Sequence, residues 1–270
     1  MPHVDLEGVQ YAYTERGSGA LVIFLHGTLS GKQSFVGTIE QPPPGYRYVA
    51  FDWPGHGDST YDPTGWSVED LVDAVPALIA GLGETRAVLV GVSQGGAVGL
   101  RVALRHPDVL AGLVTINAGA DPVSPEAVAR VGELGRVLRD GTDSERREAA
   151  RIVTGLHHPP DWADDHPELI EQEIELILSH PRQAAILATN IPAQYESIED
   201  RLPEISCPTL VVWGERDPRH ERGPGMVAAI PDSDLCVIPD AGHHAQVEAP
   251  DALAEAVRQF LARVQGGGGA

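Results

Sequence analysis

The run Leu89-Val90-Gly91-Val92-Ser93-Gln94-Gly95-Gly96-Ala97 passes from apolar residues through G-x-S-x-G into the head of an amphipathic stretch. Read as strand, tight turn and helix, it would hold Ser93 in a strained backbone conformation, with Gly91 and Gly95 leaving space where a Cβ would collide with the turn. The Ser93 hydroxyl would then stand at the carboxyl edge of a sheet, facing the free N–H groups and positive end of the following helix. A serine hydroxyl is a weak nucleophile at neutral pH; it needs a base, and the base needs an acid to orient it. Both types occur on loops that follow apolar runs: Asp217 after Thr209-Leu210-Val211-Val212-Trp213-Gly214, and His243 after Leu235-Cys236-Val237-Ile238-Pro239. A parallel sheet brings the ends of such strands to one edge, so Ser93, Asp217 and His243 are expected to converge as nucleophile, acid and base of an acyl transfer.

An oxyanion formed in that chemistry needs two donors. The helix start supplies the backbone N–H of Gln94, and the strand end Val22-Ile23-Phe24-Leu25-His26-Gly27-Thr28 places the N–H of Thr28 to join it. His26 is read as a loop brace, and Phe51 to Ser59, rich in glycine and proline at turn positions, as a structural crossover in which Asp52, His56 and Ser59 have no catalytic part. His244 follows the base directly, and Asp121, past the strand ending at Asn117, is the alternative acid.

The elements that must position these residues alternate between short apolar runs and helix-length amphipathic stretches, the pattern of strand-helix-strand units around a mostly parallel sheet. Val9 to Glu15 and Ala20 to His26 read as an opening pair of strands about the turn Gly17-Ser18-Gly19, and Tyr46 to Asp52 as a third. Ser67 and Asp70 form a capping box for a helix that contains Pro76. Arg86 to Val92 is expected as strand, Gln94 to Arg105 as helix and Val109 to Asn117 as strand. From Asp121 to Pro203 strand signals vanish and three or four helices are expected, including 125–139, 144–154 and 167–179. In the last of these Ile170, Ile174 and Ile177 share a face, and the glutamates read as a solvated one. Trp162, Leu187, Ile191 and Tyr195 of this insertion would either line a substrate pocket, with His244, or pack the insertion onto the core. Strand 209–214, a helix near 225–230, strand 235–239 and helix 252–264 resume the alternation, and the glycine-rich end, 265–270, reads as unstructured.

Composition excludes several classes. With 270 residues, 19 basic and 39 acidic side chains and a formal charge of −20, the surface would repel phosphate backbones and anionic lipid, so no nucleic acid or membrane partner is expected. No apolar run approaches the length of a bilayer span, and Met1 to Gly8 has no signal-peptide character, which makes a cytoplasmic location the expectation. Cys207 and Cys236 lack a CxxC partner and read as buried thiols, and Lys32, the single lysine, is poorly placed for Schiff-base chemistry. His157, His158, Asp161, Asp164, Asp165 and His166 fit no common ligand spacing, so no metal is expected.

Along almost its whole length the chain resembles the alpha/beta-hydrolase superfamily, serine-nucleophile branch. His26-Gly27-Thr28, Asp52 through Ser59, Gly91-Val92-Ser93-Gln94-Gly95-Gly96, Gly214-Glu215-Arg216-Asp217 and Gly242-His243 match its landmarks in order. Among branches it is similar to small capped esterases, oxoadipate enol-lactonases and cofactor-free perhydrolases, while Gly242-His243-His244-Ala245-Gln246 is similar to carbon–carbon bond hydrolases. The resemblance implies an α/β fold with a mostly parallel central sheet, helices on both faces and an inserted helical cap. The core would be 1–121 and 204–264, and the cap 122–203. It also implies Ser93 as nucleophile, His243 as base, Asp217 as acid, and Thr28 and Gln94 as the oxyanion hole. The expected activity is cofactor-free hydrolysis of an ester or lactone of a small to medium, largely apolar molecule. Thioester or carbon–carbon hydrolysis, and a non-hydrolytic cyclase, lyase or binding protein, are the alternatives; no oligomeric state is implied.

Overall fold

The computed structural model describes residues 1–267. The chain begins β1 (His3–Leu6), β2 (Val9–Gly17), β3 (Ala20–Leu25), α1 (Val36–Ile39), β4 (Tyr46–Phe51), α2 (Val68–Gly81), β5 (Ala87–Val92), α3 (Gln94–Arg105) and β6 (Leu110–Ile116). Five α-helices follow with no strand between them: α4 (Pro125–Asp140), α5 (Asp143–Gly155), α6 (Pro160–Asp165), α7 (Pro167–Ser179) and α8 (Arg182–Thr189). The chain then adds β7 (Thr209–Gly214), α9 (Gly223–Ala229), β8 (Ser233–Ile238), α10 (Ala245–Glu248) and α11 (Pro250–Gly267).

The eight strands form one sheet in the order β1-β2-β4-β3-β5-β6-β7-β8. β1, β2 and β4 pair antiparallel, and every pair from β4 through β8 is parallel. β2 and β3, expected as an opening pair, are not neighbours: β4 lies between them, pairing Tyr13 with Phe51 on one side and Leu25 with Phe51 on the other. β1 went unread because only Val4 of its four residues is buried.

Burial on both faces explains the near-continuous apolar strands. In β3, Leu21, Ile23 and Leu25 enter one core with Leu71, Val75 and Leu78 of α2, while Val22 and Phe24 enter the other with Val257 and Leu261 of α11. The two-residue period of a strand thus feeds two cores at once. Each such side chain contributes roughly 1.5–3 kcal/mol relative to exposure. The Ser67–Asp70 capping box begins α2, which continues through Pro76, and a second box, Thr142 with Glu145, begins α5.

The helices inserted between β6 and β7 have their own apolar cluster, with Leu134, Leu138, Ala150, Ile174 and Ile177 packed on Leu29 from the loop after β3. α11 runs to Gly267, past the expected end at Val264 and into the tail read as unstructured; 268–270 lie outside the described residues. Among the described residues no helix is long and apolar enough to cross a membrane.

Candidate active site

Ser93 joins β5 to α3 at φ 51° and ψ −113°, a conformation that costs an L-residue about 1–3 kcal/mol. It persists because its surroundings fix it. Ser93 N donates to Ile116 O at 2.9 Å, anchoring the turn to β6. A Cβ on Gly91 would stand 2.3 Å from Gly95 C, and one on Gly95 would stand 2.1 Å from Leu25 O, so neither position admits a side chain. The turn points the hydroxyl away from the sheet and into a cavity of about 430 Å³, whose wall also includes Thr28, His157, Asp217 and His243.

The loops after β7 and β8 meet at this cavity. His243 Nδ1 donates to Asp217 Oδ2 at 2.5 Å, and Asp217, 1% exposed, also accepts Arg219 N on Oδ1 at 2.8 Å. Burial works to raise the Asp217 pKa, but the His243 hydrogen bond, the Arg219 amide and the nearby positive charge together pull it below the ordinary carboxylate value. For His243 burial is the largest influence and holds the imidazole below its ordinary value, against the upward pull of Asp217. The ring is therefore neutral at pH 7, with Nδ1–H spent on Asp217 and Nε2 left as an acceptor. No hydrogen bond joins Ser93 Oγ to His243 among the described residues; such bonds commonly tighten only when substrate is present. Asp121, the alternative acid, pairs instead with Arg222.

Sequence reasoning passed over Asn117, the residue that fixes the spacing of these loops. At the end of β6, with φ 49°, it donates Nδ2 to Gly242 O (3.0 Å) and His243 O (2.7 Å) and accepts Gly214 N on Oδ1 (2.8 Å). One buried amide thus ties the ends of three neighbouring strands. The available signal was an asparagine, a residue tolerant of positive φ, directly after a buried strand.

Thr28 Oγ1 donates to Gln94 Oε1 at 2.9 Å, linking the loop after β3 to the start of α3. Among the described residues the backbone N–H groups of Thr28 and Gln94 have no partner. His26 braces the first of these loops, donating Nδ1–H to Gly27 O (2.7 Å) and accepting Trp53 N on Nε2 (2.9 Å). Burial lowers its pKa to about 4, consistent with a neutral structural histidine. His56 accepts Leu29 N, and Asp52 accepts the backbone N–H of Lys32 and of Asp58 together with Lys32 Nζ, so the crossover is structural and the single lysine is ion-paired.

The four residues proposed from sequence as substrate contacts do not line this cavity. Trp162 is sandwiched between His158 and His166, at ring distances of 4.6 and 4.2 Å. Leu187 packs over the Gly65 turn. Ile191 is fully buried in the core beneath the insertion, and His244 donates Nδ1–H to Glu173 Oε1 at 3.1 Å while stacking on His157. Tyr195 lies beneath the Arg101 guanidinium. The apolar wall comes instead from Val123, Ala127, Val131, Val153 and Leu156. Hydrophobicity singled out Trp162, Leu187, Ile191 and Tyr195 as either pocket-lining or packing residues, but it could not say which surface each of them meets.

Beneath the histidine loop lies a charged cluster. His158, its side chain fully buried, faces Glu248 (2.9 Å) and Glu173 (3.1 Å), and Glu248 also accepts the N–H of Gly242. Burial would lower the His158 pKa, but the two carboxylates outweigh it and raise it to about 9, which makes it a cation. Glu173 departs from the solvated face expected of α7: Glu168, Glu171 and Glu175 are exposed, whereas Glu173 turns inward to His158 and His244.

A model of the alpha/beta hydrolase family matches residues 22–256. The chain is 30% identical over 268 residues to a 2-hydroxy-6-oxononadienedioate/2-hydroxy-6-oxononatrienedioate hydrolase of Pseudomonas putida, an alignment covering 94% of this chain and 92% of that one. A thermophilic esterase from Thermogutta terrifontis, solved with malate bound, matches at a TM-score of 0.87 and 31% identity over 97% of both chains. The enol-lactonase of Burkholderia xenovorans LB400 matches at 0.86 and 21% identity over 97% of this chain and 100% of that one, a likeness of fold alone. With the serine turn, the sheet order and these matches in agreement, the chain belongs to the alpha/beta hydrolase family, as its sequence motifs implied.

Proposed function

We propose that the protein is a serine hydrolase that cleaves a carboxylic ester or lactone of a small molecule through an acyl-enzyme. The observation that carries this reading is the 2.5 Å bond from His243 to Asp217 beside a serine held at φ 51°, with all three residues on one cavity wall. Asp217 holds the tautomer that leaves His243 Nε2 free to take the Ser93 proton as Oγ attacks the carbonyl carbon. The charge that develops on the carbonyl oxygen meets the backbone N–H groups of Thr28 and Gln94, each such donor being worth about 2.7–4 kcal/mol in comparable sites. The imidazolium returns its proton to the leaving oxygen as the C–O bond breaks. Nε2 then deprotonates a water that attacks the acyl group, and Ser93 departs with its proton restored. One water is consumed, and no step calls for a cofactor.

A second reading, carbon–carbon bond hydrolysis, is favoured by the Pseudomonas putida relative, whose named substrate has no ester bond to cleave. Labelling with a fluorophosphonate, read by intact mass, tests what the two readings share. Wild-type protein should gain one adduct that Ser93→Ala does not, and an unlabelled folded wild type overturns both. Product analysis after incubation with an ester and lactone panel, and with a dienoic keto-enol acid, then separates them.

A further inference from the structure

Two guanidinium groups on the cavity wall take no part in the proposed bond-making and proton-transfer steps. Arg219 and Arg222 line the cavity together with Ser93 and His243. They bracket the 3-10 turn His220–Arg222 that follows Asp217, closed by a hydrogen bond from Arg222 N to Arg219 O at 3.0 Å. Side chains three apart on such a turn eclipse one another, so the two guanidinium groups leave the backbone on the same side.

Both retain binding capacity. Arg219 donates Nη2 to Asn117 O at 3.2 Å and holds Nε 3.8 Å from Asp217, while Nη1 has no partner among the described residues. Arg222 is braced from behind by Asp121, in a space kept open by Gly119, where a Cβ would lie 2.6 Å from Asp121 Oδ1. The side chains are 37% and 44% exposed, open enough to meet a ligand and shielded enough for charge to count. The acid on the cavity wall, Asp217, is committed to His243. In a chain of formal charge −20, the lining of this cavity carries two guanidinium groups against one carboxylate.

We propose that Arg219 and Arg222 form an anion subsite that binds a carboxylate of the substrate, so that the cavity takes an acyl chain with an apolar middle and an acidic end, its scissile carbonyl at Ser93. Guanidinium forks match carboxylate geometry, and charge-assisted hydrogen bonds of this kind are about twice as strong as neutral ones. The substrate is then amphiphilic rather than largely apolar. The inference rests on Ser93 as the nucleophile, and its test separates the two claims.

The 4-nitrophenyl monoesters of succinic, glutaric and adipic acids are compared, on the full-length protein, with 4-nitrophenyl esters of the same chain length that lack the acid. The best monoanion should exceed its neutral counterpart in kcat/KM by at least about tenfold, the size expected of one charged hydrogen-bonded contact. That ratio should fall toward one in Arg219→Gln and in Arg222→Gln, and Arg222→Lys should retain part of it. Any general loss of activity from disturbing the Asp217 loop cancels in the ratio, and the lysine variant carries the test where a glutamine variant does not fold. Adipate binding to Ser93→Ala, measured by calorimetry, gives a readout free of turnover, and adding Arg222→Gln should abolish it. Equal or better turnover of the neutral esters at all three lengths, with no adipate binding, overturns the subsite and leaves the hydrolase reading in place. Adipate binding that depends on Arg222, with no turnover of either ester class, supports the subsite and overturns the ester-hydrolase reading.

Discussion

The backbone N–H of His243 donates to the backbone carbonyl of His157 at 2.9 Å, and the N–H of His244 reaches the same oxygen at 3.3 Å. The foot of the inserted helices therefore holds the loop that carries the proposed base. The His157 ring reinforces the link by stacking on His244 at 4.0 Å, and burial beside the neighbouring imidazoles of His244 and His243 keeps it neutral. The insertion does more than cover the cavity: its placement helps set the orientation of His243.

Ser93→Ala should lower kcat by a factor of about 10⁴ or more, the loss seen when one member of a cooperating triad is removed. Ser93→Gly should be equally inactive yet more stable, by about 1–3 kcal/mol, because glycine relieves the φ 51° strain. Denaturant melts of the two variants, compared with each other, check this; a glycine variant less stable than the alanine one would show that the turn is unstrained.

The pH profile follows from the environment of His243. Burial depresses its pKa, and the base must be neutral to accept the Ser93 proton, so kcat/KM should be flat through neutrality and fall only as pH drops below 6.5. An acid limb centred above pH 6.5 would contradict the assignment. Asp217→Asn, which removes the upward pull on the ring and the tautomer lock, should shift the limb further toward acid and lower kcat by about 10⁴-fold.

Asn117→Ala removes three hydrogen bonds and strands Gly214 N without a partner, at about 1–3 kcal/mol for each buried group left unpaired. Because Asn117 holds the backbone of the loops carrying the proposed acid and base and is not part of the cavity lining, kcat should fall more than KM rises. Steady-state kinetics that moved KM alone would assign it to binding.

His158 should make stability depend on pH. Its folded pKa of about 9 lies above the ordinary 6.5, so its contribution is complete below pH 6.5 and is lost as pH rises from there through 9. His158→Leu leaves Glu173 and Glu248 buried without their cation, a change worth about 3–5 kcal/mol. The gap in melting temperature between wild type and variant should be widest near pH 6 and narrow toward pH 9. A gap of constant width would exclude a charged His158.

The elements around Ser93 were legible because they are local: an unbroken apolar run, two obligatory glycines and an amphipathic helix all lie within 87–105. Asp217 and His243 were legible because strand ends of a parallel sheet share an edge, whatever the intervening chain. Strand adjacency was not, since the β2–β4–β3 order depends on pairing across the chain rather than on any pattern within a strand. The contacts of Trp162, Leu187, Ile191 and His244 were hidden for a similar reason. Helix periodicity shows that a face is buried, but the partner it is buried against is fixed only when five helices settle on one another and on the core. The ion cluster joins residues 158, 173 and 248, a spacing that answers to no motif.

The insertion separates two strands that lie side by side. Leu113 of β6 pairs with Thr209 of β7, so the sheet can close only after the intervening helices have emerged from the ribosome, and the Asp217 and His243 loops are made later still. A nascent chain carrying Ser93 would thus lack the proposed acid and base until the segments that follow the insertion are made.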